Sequence, residues 1–345
     1  MASEQPIDPC AVPSNAESPG GSERGVRKLA KPFVLLISLA LSLTVVELGL
    51  RLFFPGDFKP PADDRSPHYP YDPVLGWLPR PDSTSTFAGS RTITVSNNSQ
   101  GFRGPEPVIG QQPGLMVLGD SFVWGYDVEA SERFTEKLQA RHPEWAVYNL
   151  GVSGYATDQE YLLLQRYFEV FKPRVVLLVF CSDNDEEDNR WNFRYGGYKP
   201  YYSVDGQRLN LEGVPVPRSE RAWLGSHPRV GRLRVVRLLV RWYCRLTTPG
   251  PVRHADTTLP LLEAMDRYVR DRGARFVVGM QAERPRIARG LDALQIPRVD
   301  LETTNRYPDV YYGRHWNPAG HEFVCEAIDH FLTAGKYLEP VPPGP

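Results

Sequence analysis

The chain has 345 residues, of which 41% are hydrophobic, and a formal net charge of −1. This length is enough for one large domain with appended segments, and the near-neutral charge gives no general reason to expect nucleic acid as a partner. The four cysteines, Cys10, Cys181, Cys244 and Cys325, show neither a paired metal-site spacing nor a disulfide framework. Whether the last three pair with one another is left open.

The N-terminal part divides into a polar segment and an apolar one. Residues 1–32 are rich in proline, serine, glycine and charge, and they predict a disordered tail of low apolar content. A helix over residues 33–54 would be about 33 Å long, enough to cross a hydrocarbon core of about 30 Å. We therefore predict a transmembrane anchor. The alternative is a buried core helix, since the uninterrupted apolar run is shorter than a full span.

Charges on the two sides of the apolar segment predict its orientation. Basic residues precede the segment and aspartates follow it: Arg24, Arg27, Lys28 and Lys31, then Asp57, Asp63 and Asp64. The positive-inside rule then places the N-terminus in the cytoplasm and the rest of the chain outside. No small-residue cleavage site follows the apolar run, which favours an uncleaved, single-pass anchor over a removed signal peptide.

Residues 55–110 are punctuated by proline and glycine. One short alternating strand is predicted near Thr92 and extended loop elsewhere. We call this segment the collar, because it joins the anchor to the part of the chain that follows.

From residue 111 to residue 335 the pattern alternates between strands and helices. Strands are predicted at Leu115–Leu118, Ala146–Leu150, Arg174–Phe180, Arg275–Gly279 and Ile296–Asp300. Helices are predicted at Ser131–Arg141, Asp158–Phe171, Leu259–Arg272 and Ala319–Leu332. Such repeated units with apolar strands predict an α/β fold, a three-layer α/β/α sandwich around a five-stranded, mainly parallel sheet. A proline-rich tail, 336–345, follows.

An insertion at about residues 186–257 interrupts this pattern. Its first half is aromatic, with Trp191, Phe193, Tyr195, Tyr198, Tyr201 and Tyr202. Its second half predicts an amphipathic helix with arginines along one face. We expect the apolar face to pack on the core, as in most surface helices, although such a helix can also lie on a membrane or bind an anionic polymer.

The stretch Gly119-Asp120-Ser121 directly follows the first predicted strand. Ligands bind at the carboxyl edge of an open α/β sheet, and a serine there is well placed to act as a nucleophile. The simpler alternative is a turn in which Asp120 or Ser121 caps the next helix.

Two further stretches follow the next two predicted strands. Around Gly154 the backbone can come close to a bound group, and the following helix start offers unpaired N–H donors. The alternative there is helix capping by Thr157 or Asp158. After the third strand, the carboxamide of Asn184 can donate to a developing oxyanion without carrying charge, or it can form an Asx-turn.

A fourth stretch, Tyr311–His321, opens the last predicted helix. His315 lies in the loop after the final strand and can reach the same sheet edge. Histidine is the side chain best matched to general-base chemistry near neutral pH. Taken alone, His315 would be an ordinary surface histidine.

Together, and in this order, the four stretches resemble the SGNH (GDSL-type) hydrolase family. The resemblance implies that Ser121 is the nucleophile, that Ser121, Gly154 and Asn184 provide the oxyanion donors, and that His315 is the base. The acids beside these motifs are expected to support the site: Asp120 and Asp185. The anchor's Glu-Leu-Gly-Leu-Arg and the collar's Leu-Gly-Trp and Gly-Phe-Arg resemble a membrane-tethered bacterial branch.

The sequence departs from the family pattern at two places. Ser182 stands where the family usually has a glycine, two residues before Asn184. The family's aspartate shortly before the histidine is replaced, because Tyr312 and Gly313 occupy those slots. The nearest upstream acid is Asp309. A backbone carbonyl can do part of the acid's work, so both Asp309 and a Ser–His dyad remain open.

The resemblance implies acyl transfer through an acyl-Ser121 intermediate, with no metal or cofactor. We expect an esterase tethered to the cell inner membrane, with its active site outside the cytoplasm, that removes short O-acyl groups from a carbohydrate or another envelope ester. Two alternatives stay open, an O-acyltransferase acting on envelope polysaccharide and a non-catalytic binding module. The acyl group and the oligomeric state are not determined.

Overall fold

The computed structural model describes residues 21–54, 68–110, 112–206, 208–303 and 308–339. The chain divides into two compact units, one drawn from residues 1–59 with 233–235 and the other from 60–232 and 236–345. The predictions for residues 1–20, for the start of the collar at 55–67 and for the end of the tail at 340–345 lie outside the described residues.

The first unit is built on one helix, α1 (Gly21–Phe53). The helix begins at Gly21 rather than at Phe33, so the prediction of disorder is wrong for residues 21–32. Glutamate, arginine, lysine and alanine in this segment are good helix formers, and adding a residue to an existing helix is easier than nucleating one. Lys31–Phe53 is long and apolar enough to cross a membrane by length and composition, and its apolar side chains are exposed.

The collar forms two small antiparallel pairs in the second unit. They are β1 (Tyr71–Asp72) with β2 (Gly76–Trp77), and β3 (Ser83–Ala88) with β4 (Thr92–Asn97). The strand predicted near Thr92 is β4, which buries Ile93 and Val95. Its partner β3 was not predicted, because four of its six residues are serine or threonine and give little apolar alternation.

The remaining elements follow in chain order. The first part of the core contains β5 (Gly114–Gly119), α2 (Ser121–Trp124), α3 (Phe134–Arg141), β6 (Ala146–Asn149), α4 (Thr157–Phe171), β7 (Val175–Phe180) and α5 (Asp185–Asp188). The insertion contains β8 (Phe193–Arg194), β9 (Gly197–Tyr198), β10 (Tyr201–Asp205), β11 (Arg208–Glu212), α6 (Glu220–Ser226) and α7 (Arg234–Thr247). The last part contains α8 (Thr258–Arg270), β12 (Arg275–Met280), α9 (Pro285–Ala293), β13 (Arg298–Asp300), β14 (Tyr311–Tyr312), β15 (His315–Trp316) and α10 (Pro318–Ala334).

Five parallel strands form the central sheet, in the order β13-β12-β7-β5-β6. Successive side chains of a strand point to opposite faces, and β5 shows this directly. Met116 and Leu118 pack in one apolar core with α4 and α8, whereas Leu115 and Val117 pack in a second core with α3 and α10. This arrangement confirms the predicted α/β/α sandwich.

Helix α9 was not predicted. It has glycine and charged residues at most of its exposed positions, and only Ile287, Ala288 and Leu291 are buried. Three buried apolar residues in a nine-residue segment that also contains proline and glycine were too few for a helix to be predicted. The helix begins with Pro285 at its first turn, a position that tolerates proline because that N–H has no partner within the helix.

The amphipathic helix predicted in the insertion is α7, but its apolar face is exposed. Leu239, Trp242 and Leu246 leave 58, 64 and 65% of their surface accessible, and Val240 is the one buried residue of the helix. The expectation that this face packs on the core is therefore wrong. The helix turns Val240 inward, and Val240 lies on a different face from the other three residues.

Candidate active site

Three of the predicted site residues follow three neighbouring strands of the sheet. Ser121 comes after β5, which lies between β6 and β7. Gly154 lies in the loop after β6, where it is buried and has a φ of 82°, a left-handed conformation that favours glycine. Asn184 lies just after β7. Parallel neighbours end at the same edge, so these loops share one side of the sheet.

A tight turn presents Ser121 at the end of β5. A Cβ atom on Gly119 would come within 2.4 Å of Cγ2 of Val123, so glycine is required there. Asp120 caps the one-turn helix α2, because its Oδ1 accepts a 2.9 Å hydrogen bond from the backbone N–H of Phe122. Asp120 therefore caps a helix, as the simpler alternative from the sequence proposed. This cap does not prevent Ser121 from lying at the carboxyl edge of the sheet. Ser121 is 8% exposed.

The imidazole of His315 reaches Ser121 from β15. Nε2 of His315 lies 2.8 Å from Oγ of Ser121, a distance suited to proton transfer. The ring stacks on Tyr126, with ring centroids 4.1 Å apart and an angle of 22° between the ring planes. It also packs against Phe122, whose ring centroid lies 5.2 Å from that of the imidazole. The neighbouring Trp316 is fully buried against Phe122. Aromatic packing therefore fixes where this histidine lies.

Asp309 lies in a short 3-10 turn, Pro308–Val310, with an exposed side chain. Its backbone carbonyl accepts a hydrogen bond from Nδ2 of Asn317, the residue that caps α10. Within the described ranges, no hydrogen bond or ion pair joins the Asp309 carboxylate to His315. The structure thus brings His315 to Ser121 without also bringing Asp309 to the ring.

The carboxamide of Asn184 has two neighbours in the site. Nδ2 donates to Oδ2 of Asp120 and to Oη of Tyr195, at 3.3 Å each. The Tyr195 hydroxyl in turn donates to Asp188 at 2.7 Å. Tyr195 lies at the tip of the β8–β9 hairpin with a φ of 50°. Tyr195 therefore connects the insertion to Asn184, one of the proposed oxyanion donors. The sequence pattern did not indicate this contact.

The unusual Ser182 has its own structural role. Its hydroxyl donates to the backbone carbonyl of Ala282 at 2.5 Å, and it accepts from the backbone N–H of the same residue at 3.2 Å. Ser182 thereby joins the loop after β7 to the loop after β12. Its side chain is buried and points away from Asn184 to this neighbouring loop.

Three buried carboxyl groups lie on the inner side of the site around Ser121: Asp120, Glu160 and Asp185. Burial raises the pKa of Asp120 to about 6, and it raises the pKa of Glu160 and of Asp185 well above the ordinary range. Burial therefore favours the neutral form of Glu160 and of Asp185, whereas Asp120, with a pKa of about 6, is ionised beside Ser121 at neutral pH. Oδ2 of Asp185 accepts a 2.9 Å hydrogen bond from the backbone N–H of Cys181, which holds the start of the loop that carries Asn184.

A buried arginine of the collar holds the backbone that follows Ser121. The Arg103 guanidinium donates to the carbonyls of Thr94, Trp124, Gly125 and Val128, at 2.8 to 3.3 Å. Burial lowers its pKa to about 10, so it stays charged at neutral pH. The sequence motif Gly-Phe-Arg marked this residue without showing its role.

A cavity of about 370 Å³ lies beside the part of the site that contains Gly154 and Asn184. It touches the site through Ser153, next to Gly154, and through Tyr195, which contacts Asn184. The collar and the insertion supply most of its aromatic walls: Tyr69, Tyr71, Trp77, Tyr195 and Tyr198. Arg80 and Arg221 also line it.

Cys181, Cys244 and Cys325 are free thiols.

The sequence matches no protein-family model and no curated protein. Among solved structures, it is similar to a member of the lipolytic protein G-D-S-L family from Veillonella parvula, at 12% identity and a TM-score of 0.39, covering 64% of this chain and 98% of that one. It is also similar to the psychrotrophic esterase EstA from Pseudoalteromonas sp., at 11% identity and a TM-score of 0.38. The match covers 64% of this chain and 100% of that one. The acetyl xylan esterase AlAXEase is also similar, at 11% identity and a TM-score of 0.38. The match covers 64% of this chain and 99% of that one.

Proposed function

We propose that this chain is a membrane-tethered serine esterase that works outside the cytoplasm and removes short O-acyl groups from a carbohydrate or another envelope ester. The observation that carries the proposal is the 2.8 Å contact between Oγ of Ser121 and Nε2 of His315. A serine hydroxyl is a weak nucleophile until a base takes its proton, and His315 is in position to do so.

In the proposed reaction, Nε2 of His315 takes the proton of Ser121 as Oγ attacks the ester carbonyl carbon. The carbonyl oxygen becomes a tetrahedral oxyanion. When the intermediate collapses, the C–O bond to the alcohol breaks, and the imidazolium returns its proton to the leaving oxygen. Water, deprotonated by the same imidazole, then attacks acyl-Ser121; the bond between the acyl carbon and Oγ breaks, the imidazolium returns its proton to Oγ, and the carboxylic acid is released.

The oxyanion would be stabilised by the N–H groups of Ser121 and Gly154 and by Nδ2 of Asn184. In the substrate-free arrangement one Nδ2 hydrogen bond goes to Tyr195. At 3.3 Å this hydrogen bond is long, and an oxyanion is a stronger acceptor than a phenol oxygen. We therefore propose that Asn184 exchanges the Tyr195 hydroxyl for the oxyanion as charge develops, while Asp120 continues to hold the amide.

The orientation of His315 is proposed to depend on its ring contacts as well as on an acid. Tyr126 and Phe122 pack against the ring, which restricts its rotation. Asp309 remains the proposed acid partner, reached by movement of its turn, and the Ser–His dyad is the alternative. An Asp309→Asn variant separates the two, since a dyad predicts unchanged kcat and a triad predicts a loss.

The aromatic cavity supports a carbohydrate as the alcohol part of the substrate. Sugar rings have apolar faces that pack on aromatic side chains, as well as hydroxyls that accept and donate hydrogen bonds. Trp77, Tyr195 and Tyr198 supply aromatic surface, and Ser153 supplies a polar group beside the oxyanion side. The exposed, apolar segment Lys31–Phe53 supports the membrane tether.

A fluorophosphonate probe tests the proposal directly, because it reacts only with an activated serine. The full-length protein should be labelled at Ser121, as located by peptide mass spectrometry. Ser121→Ala should abolish labelling, whereas the matched control Ser203→Ala, on the β10–β11 hairpin, should not. Absence of labelling in the folded protein would favour a binding module. Isotope-labelled acetyl appearing on a second glycan, instead of as acetate, would favour the O-acyltransferase.

A further inference from the structure

Helix α7 carries an exposed apolar face that its own domain does not cover. Leu239, Trp242, Tyr243 and Leu246 are spaced three and four residues apart, which places them on one side of a helix. All four are exposed. Exposed large side chains are normal when scattered singly, whereas a continuous patch marks an interaction surface.

The other side of α7 makes the contacts with the domain. Val240 is buried, and the Arg241 guanidinium pairs with Glu220 at 3.1 Å. Nε of Arg237 donates to the carbonyl of Gly231 at 2.7 Å. Because these residues already attach the helix to the domain, the apolar face points outward.

The charge of α7 favours an anionic surface as the occupant. Its sequence, Arg-Val-Val-Arg-Leu-Leu-Val-Arg-Trp-Tyr-Cys-Arg-Leu-Thr, contains four arginines and no acidic residue. Arg245 lies one turn from Arg241 and is exposed. Arginine beside an apolar face, with tryptophan and tyrosine on that face, is the composition of helices that lie in the headgroup region of a bilayer.

We propose that α7 lies in the plane of the membrane surface, with Leu239, Trp242 and Leu246 in the boundary between headgroups and acyl chains. Arg245, whose side chain is exposed, would contact lipid phosphate. The proposal rests on the membrane tether of the proposed function, since the same bilayer would receive the anchor and this helix. Such a contact would hold the catalytic domain against the bilayer and direct it to substrates at the membrane surface.

Fluorescence quenching in vesicles tests this contact with the full-length chain. Residues 33–54 contain no tryptophan, so the anchor itself gives no signal. The protein is reconstituted into vesicles containing phosphatidylglycerol, with and without brominated acyl chains, which quench a tryptophan that touches them. We expect quenching in the parent protein and loss of most of it in Trp242→Phe. The matched control Trp191→Phe should keep it.

The outcomes separate failure of the contact from failure of the anchor. Protein that does not float with the vesicles would overturn the anchor and the proposal together. Protein that floats but shows no quenching, or equal quenching in Trp242→Phe, would overturn the proposal alone. If quenching is absent and cross-linking joins two copies through α7, the apolar face is a dimer contact and the membrane proposal is wrong. A second variant, Leu239→Glu with Leu246→Glu, should also lose the quenching while hydrolysis of a soluble ester continues.

Discussion

Nε2 of His315 lies 2.8 Å from Oγ of Ser121, although 194 residues separate them in the chain. Ser121 is held by a tight turn after β5, and His315 is held by a short hairpin whose Trp316 packs against Phe122. The contact is thus supported from both sides by packed aromatic side chains. It is the geometry on which a serine nucleophile depends.

Removing the imidazole should therefore remove the base. We expect His315→Ala to lower kcat on 4-nitrophenyl acetate by about 10²–10⁴-fold, the usual contribution of a general base. His227→Ala, which changes an exposed histidine, serves as the control and should retain activity. Equal loss in the two variants would contradict the assignment of His315.

Asn184 and Tyr195 should differ in their effects. Loss of one oxyanion donor in Asn184→Ala should lower kcat by about 10²–10³-fold. At the carboxamide, Tyr195→Phe removes only a hydrogen bond that Asn184 is proposed to give up as the oxyanion forms, so kcat should stay within about fivefold of the parent value. Both are measured as kcat on the same small ester. A loss of kcat in Tyr195→Phe as large as in Asn184→Ala would contradict the proposed exchange.

The stacking of Tyr126 on His315 should contribute to catalysis through ring orientation. We expect Tyr126→Leu to lower kcat about two- to tenfold, as for the loss of an aromatic pair worth about 0.5–1.5 kcal/mol. Tyr126→Phe keeps the ring and should restore the parent rate. If the phenylalanine variant is as slow as the leucine variant, the hydroxyl of Tyr126 matters rather than its stacking.

Asp120 should make stability depend on pH. Burial raises its pKa from 3.8 to about 6, so the folded state holds this proton more tightly than the unfolded chain. The resulting stabilisation is complete below the unfolded pKa and is lost as pH rises through about 6. Asp120→Asn has no charge to bury. Chemical denaturation should show that the free energy of unfolding of Asp120→Asn, relative to that of the parent protein, increases by on the order of 2 kcal/mol between about pH 4 and about pH 7. A difference that does not change with pH would contradict this.

Arg103 should matter for stability through the carbonyls it satisfies. In Arg103→Met four carbonyl groups lose a donor, three of them buried, and each unsatisfied buried group costs about 1–3 kcal/mol before water or local rearrangement compensates. We expect the free energy of unfolding to fall by at least about 2 kcal/mol. Arg245→Met, at an exposed position, should change it by less than about 0.5 kcal/mol. Similar values for the two variants would show that Arg103 is dispensable.

Patterns that depend on nearby residues were sufficient to predict the core. The five strands and the helices flanking them follow from local apolar periods, and the motifs at Ser121 and Asn184 could be placed at strand ends for the same reason. Element boundaries differed by a few residues, as for β13, which begins at Arg298 rather than at Ile296. Helix α9 and strand β3 were not predicted, because too few of their residues are buried to produce a period.

Relationships between distant residues were decided by the tertiary structure. The sequence showed that His315 could reach the sheet edge, but the packing of Trp316 and Tyr126 determines where its ring lies. Likewise, the hairpin that carries Tyr195 to Asn184 is part of an insertion whose path no local period specifies. The outward face of α7 has the same origin: amphipathicity shows that a helix has two faces, and only the packing of neighbouring elements determines which face is covered.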